Sequence, residues 1–73
     1  MLNIDRITSN TNIMNGKACI RGMRITVSIV LSFLATGHTK NEIIELYPYL
    51  EPEDIDQCLN YAFYLAEEEL FTI

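Results

Sequence analysis

No cation follows Lys40 in this 73-residue chain. All five lysines and arginines lie in residues 1–40, and nine of the ten acids lie in residues 41–73. The first segment sums to +4 and the second to −9, for a net charge of −5. An acidic average excludes uniform nonspecific binding to nucleic acid, although a local basic patch would survive it. Soft metal ligands are equally scarce. Two cysteines, Cys19 and Cys58, and one histidine, His38, cannot form a disulfide framework or a zinc site at ligand spacing. The longest apolar run, Ile29 to Ala35, is interrupted by Ser32 and falls far short of a membrane span. No nucleophile–base pair, glycine-rich phosphate loop or metal motif is present, so neither an enzyme nor a cofactor is expected. The opening Met-Leu-Asn-Ile-Asp-Arg places no charged segment before a long apolar stretch, and the expected location is cytoplasmic.

What the chain does have is apolar residues, 49% of the total. A single small domain with surplus apolar surface is often completed by another chain, so a homodimer or an obligate complex is expected. Residues 4–8 read as a short strand and Ser9 to Asn15 as an Asn/Ser/Thr-rich loop. Residues 18–20 and 24–27 read as two further short strands turned at Arg21-Gly22-Met23. Residues 27–36 predict a helix apolar on nearly all sides, hence buried on more than one face and ended by Gly37. Thr39, with Glu42 three positions on, forms a capping box for a second helix over 40–46, which Pro48 stops.

A third helix begins near Pro52, with Glu51, Glu53, Asp54 and Asp56 suited to its N-terminal dipole. Ile55, Leu59, Ala62, Phe63, Ala66 and Leu70 form one apolar stripe on it, widened by Cys58, Tyr61 and Leu65, with Cys58 in the core. The helix is expected to reach about Glu69 and leave 70–73 as a tail. The sequence therefore divides into a basic strand segment (1–27), three helices (28–69) and that tail. The architecture is mainly α: a three-helix, helix-turn-helix-like (winged-helix-like) domain with a short N-terminal β-hairpin.

The residues Gly16-Lys17-x-x-Ile20-Arg21-Gly22-x-Arg24-Ile25-x-Val27, then Leu34-Ala35-x-Gly37, Glu42-Ile43, Tyr47-Pro48 and Glu53-Asp54-Ile55, carry a resemblance. Over about Ile4 to Ala66 the chain resembles the DUF433 family of small bacterial and archaeal proteins with a helix-turn-helix-like fold. Many members are regarded as antitoxins encoded beside a PIN-like ribonuclease toxin. The resemblance thus implies an antitoxin-type regulatory protein that inhibits such a toxin and binds operator DNA as a dimer. Two positions depart from the family pattern: Ala18 stands where proline is usual, and Met23 where threonine is usual.

Candidate DNA contacts are Lys17, Arg21, Arg24 and Lys40. Guanidinium forks match phosphate oxygens, and Lys40 sits beside helix N–H groups. The structural alternative for Arg21 or Arg24 is an ion pair to the acidic third helix, for example with Glu53 or Asp56. Glu53, Asp54 and Asp56 occupy the first turn of the helix that would read bases, where carboxylates repel phosphates; this argues against a conventional major-groove mode. Candidate partner contacts are Glu67, Glu68, Glu69, Leu70, Phe71 and Ile73, an acidic-then-apolar run suited to a ribonuclease's basic groove. His38 reads as a turn residue. The four tyrosines read as core or dimer contacts, since no basic residues interleave with them. The alternative to an antitoxin is a homodimeric interaction module that never touches nucleic acid.

Overall fold

The computed structural model describes residues 2–72, with side chains through Glu67. Two short strands, β1 (Ile7–Thr8) and β2 (Cys19–Ile20), pair antiparallel with Ile7 opposite Ile20 and Thr8 opposite Cys19. Three helices follow: α1 (Val27–Ala35), α2 (Lys40–Leu46) and α3 (Pro52–Thr72). The domain is mainly α, a three-helix helix-turn-helix-like unit carrying an N-terminal β-hairpin.

Both outer strands are shorter than the sequence pattern predicts. Residues 4–7 close a turn, with the Ile7 N–H donating to the Ile4 carbonyl at 3.0 Å, so only Ile7–Thr8 remain extended enough to pair. On the other side of β2, Thr26 bridges Cys19 and the Ile20 N–H donates to Ile25 O at 3.1 Å. The chain does return at Arg21-Gly22-Met23. It cannot continue as a strand, because the Thr26 hydroxyl accepts the Ile29 N–H at 3.2 Å and caps α1. Between β1 and β2 the backbone makes a left-handed turn in which Met14, Asn15 and Gly16 all have positive φ. The Ser9 hydroxyl fastens it by donating to the Gly16 carbonyl at 2.6 Å.

The helix boundaries follow local chemistry. Thr39 and Glu42 form the complete capping box: the Glu42 N–H donates to Thr39 Oγ1 at 3.2 Å, and the Thr39 N–H to Glu42 Oε1 at 2.8 Å. The Thr39 backbone N–H first, and then the Thr39 side chain, hold the Glu42 carboxyl below its ordinary pKa. α1 ends in a Schellman motif. The His38 N–H reaches back to Phe33 O at 3.0 Å, the Gly37 N–H to Leu34 O at 3.1 Å, and Gly37 takes φ +96°. A Cβ at Gly37 would meet no heavy atom within 4 Å, so Gly37→Ala isolates the backbone term. The expected loss is about 1 kcal/mol, or a thermal midpoint about 5 °C lower by circular dichroism.

The core unites the hairpin with all three helices through Ile20, Ile25, Val27, Val30, Ile43, Leu50, Ile55 and Cys58. The α3 stripe departs from its predicted role. Ile55 and Cys58 are buried, yet Leu59 and Phe63 are 46% and 50% exposed. With 21 residues against the 9 of α1 and the 7 of α2, α3 is roughly two to three times as long as the helices beneath it. Its second half therefore outruns their core. The helix also continues through Thr72 instead of leaving a tail from residue 70. Along this second half the N-terminal segment lies close by: Asn60 Nδ2 donates to Asn3 O at 2.9 Å, and the Tyr64 hydroxyl to Leu2 O at 2.8 Å.

Candidate functional site

The densest polar cluster gathers around Asp54, on the first turn of α3. Its carboxylate is fully buried, and four N–H donors converge on it. Oδ1 accepts from Arg6 Nη1 at 3.1 Å and from Arg21 Nε at 3.0 Å. Oδ2 accepts from Arg21 Nη2 at 2.8 Å and from the Glu51 N–H at 2.8 Å. Arg21 thus grips Asp54 as a fork, and both lone pairs of each oxygen are filled. The same Nη2 also donates to Tyr49 O at 2.9 Å, while Arg6 Nη1 bonds Glu51 as well.

Burial by itself would raise the Asp54 pKa. Arg21, the Glu51 N–H and Arg6 outweigh it and hold the carboxyl below its ordinary value. Next to it, buried Gln57 accepts the Arg6 backbone N–H at 2.7 Å and donates to Asp5 at 2.8 Å and to Glu53 at 3.3 Å.

The turn that delivers Arg21 is strained. Arg21 has φ +48°, Gly22 has φ +70°, and the Met23 N–H closes onto Ile20 O at 2.9 Å. Positive φ at both central positions defines a type I′ turn, which a non-glycine residue enters at a cost of about 1 kcal/mol or more. The fork onto Asp54 offsets that cost. Gly22 belongs there for its backbone; its N–H donates to Thr8 Oγ1 at 2.9 Å and ties the turn to β1.

The candidate cations therefore separate. Arg21 makes the internal ion pair weighed for it, although its partner is Asp54 and not Glu53 or Asp56. Lys40 bonds Asp56 across the α2–α3 junction. Arg6, which the sequence argument passed over, joins Arg21 on Asp54. Among the described residues Lys17 and Arg24 are exposed and form no ion pair. Asp54 and Gln57 were also missed as organising residues. The one available signal was an acid at the third position of a helix opening Glu51-Pro52, where a side chain reaches back to the preceding N–H groups.

Of the candidate partner residues, Glu67 is half-buried on α3; the side chains of Glu68, Glu69, Leu70 and Phe71, and all of Ile73, lie outside the described residues. His38 sits just after the Gly37 turn, edge-on to Phe33 at 5.1 Å between ring centroids. Tyr47 and Tyr61 pack against the core, whereas Tyr49 is exposed. Burial, and to a lesser degree the Asp54 charge, pushes the Cys58 thiol up to about 12, so it is a thiol of the core and not a nucleophile. Among the described residues no cluster of three His, Cys, Asp or Glu side chains is placed to hold a metal, and no helix is long and apolar enough to cross a membrane.

Arg21-Gly22, Arg24 and Glu53-Asp54-Ile55 now have defined places: one arginine on the buried aspartate, one in solvent, one isoleucine in the core. The DUF433 family pattern matches residues 7–62, a span that includes all of them. The chain belongs to DUF433. The family is described as a protein of unknown function. One relative, an uncharacterized protein y4eO of Sinorhizobium fredii, is 34% identical over 56 residues, covering 77% of this chain. The chain spans about a quarter of that relative's length, 25%. No solved structure matches the chain. Within this DUF433 domain the motif arginine at position 21 has a physical reason to be arginine: lysine supplies no fork for Asp54.

Proposed function

We propose that this DUF433 protein is an antitoxin-type regulator that acts in the cytoplasm by binding and inhibiting a PIN-like ribonuclease. The observation that carries the reading is the second half of α3. It outruns the core, leaves Leu59 and Phe63 half-exposed on one face, and belongs to a segment, residues 41–73, without a single cation. An apolar anchor beside carboxylates complements the basic groove in which a ribonuclease holds RNA. Like charge would turn nucleic acid itself away from this face. Glu67, Glu68 and Glu69, followed by Leu70, Phe71 and Ile73, extend the same chemistry.

Operator binding is the weaker half of the proposal. Arg6, Arg21 and Lys40 spend their charge inside the domain, so phosphate contacts rest on Lys17 and Arg24, about two per copy. A dimer with so few contacts gives a shallow salt dependence. That distribution of charge favours the second reading, an interaction module that binds no nucleic acid.

Co-purification with the product of the adjacent reading frame is the test, using the full chain, Phe63→Glu, and a chain lacking residues 67–73. The proposal expects a stable complex with the full chain, weakened at least about 100-fold by Phe63→Glu while the thermal midpoint is kept. The full chain failing to hold that product would sink the antitoxin reading.

A further inference from the structure

The left-handed turn between β1 and β2 contains Asn15-Gly16, and of the six asparagines Asn15 alone precedes a glycine. The others precede Ile4, Thr11, Ile13, Glu42 and Tyr61. An asparagine amide is lost when the backbone nitrogen of the next residue attacks its side-chain carbonyl. A side chain on that next residue obstructs the approach, and glycine has none. Asn15 is also exposed, so water reaches it.

The fold nevertheless holds the two reacting groups apart. Asn15 has φ 58° and ψ 34°, a conformation that turns the Gly16 nitrogen away from the Asn15 side chain. The Gly16 N–H donates to Ile13 O at 3.1 Å, and the Lys17 N–H to Met14 O at 3.2 Å. On the far side of the peptide the Ser9 hydroxyl holds Gly16 O at 2.6 Å. Ring closure requires rotation about the Asn15 Cα–C bond, which swings the Gly16 peptide out of these bonds.

We infer that Asn15 is a spontaneous modification site gated by this turn: the closed turn preserves the amide, and the open turn lets it become a carboxylate. When the turn is open, the Gly16 nitrogen gives its proton to solvent and bonds to Asn15 Cγ. The Cγ–Nδ2 bond breaks and Nδ2 leaves as ammonia. Water then opens the cyclic imide at one carbonyl or the other, giving isoaspartate or aspartate. Either product sets a carboxylate two positions from Lys17, which with Arg24 is exposed and outside any ion pair among the described residues. Isoaspartate also lengthens the main chain by a methylene, so the span that Ser9 closes no longer fits. The turn lies outside the core, and the rate follows the population of open turns. No group of α3 takes part, so the inference does not depend on what α3 binds.

Peptide mapping by mass spectrometry at mildly alkaline pH tests this. The samples are the folded parent, the parent unfolded in guanidinium chloride, Ser9→Ala and Asn15→Gln. The unfolded parent is expected to convert at least about tenfold faster than the folded one. Ser9→Ala, with its circular-dichroism spectrum kept, should convert about fivefold faster than the parent, the factor that one lost hydrogen bond gives. Asn15→Gln should abolish the product. A folded parent that converts as fast as the unfolded chain overturns the inference, and so does a folded Ser9→Ala chain that converts no faster than the parent. Product that persists in Asn15→Gln comes from another residue and overturns it as well.

Discussion

Replacing Asp54 with asparagine is expected to destabilise the domain by about 3 kcal/mol at pH 7, the scale of breaking one partner out of a buried ion pair. The substitution keeps the volume and changes the chemistry. Four N–H donors point at the two carboxylate oxygens, and an amide NH2 in place of one oxygen sets donor against donor. In a domain of this size about 3 kcal/mol lowers the thermal midpoint by well over 10 °C.

The effect also has a pH signature. The Asp54 pKa is depressed in the folded state, so its contribution is fully present above the unfolded-state value near about 3.9 and is lost as pH falls through the folded value. Urea denaturation of both chains should show a wide gap at neutral pH that narrows below about pH 4. A gap under about 1 kcal/mol that does not vary with pH would mean that the two arginines merely decorate the surface.

Ile55→Ala should cost a similar amount, about 3 kcal/mol, by a different route. Ile55 is fully buried, follows Asp54 directly and touches the core from the first turn of α3. Deleting its side chain opens a cavity beside the clamp, with no pH signature. The informative comparison is Leu59→Ala, one turn further along the same apolar stripe. Leu59 is 46% exposed, and its truncation should cost under about 1 kcal/mol. Chemical denaturation of the two variants locates the end of the core. Equal losses would show that the stripe is buried along its whole length, and would remove the exposed face on which the partner proposal rests.

The pair of experiments separates the two jobs of α3. Its first two turns are a mechanical anchor, where Asp54 and Gln57 hold the N-terminal segment, the Arg21 turn and the chain before Pro52 in one network. Its second half contributes less to the core, through Tyr61, and leaves Leu59 and Phe63 half-exposed on one face. A variant at Leu59 or Phe63 can therefore change association while stability is kept. A variant at Asp54 or Ile55 alters association only by weakening the fold.

The sequence by itself determined the three helices and every helix end but the last, where α3 runs on through Thr72. The Thr39–Glu42 box, the glycine at 37 and the proline at 52 each satisfy backbone groups within a few residues, so neighbours along the chain carry all the information. It also determined the segregation of charge, and through the Gly16-to-Val27 motif the DUF433 resemblance. Tertiary structure decided which charges are spent. Arg21 reaches Asp54 across 33 positions, and the Arg6 N–H reaches Gln57 across 51, distances over which no periodicity chooses between Glu53, Asp54 and Asp56. The short strands and the exposed half of the α3 stripe were decided there too. A strand extends only as far as a partner lies beside it, and an apolar stripe is buried only for the length of the helices packed against it.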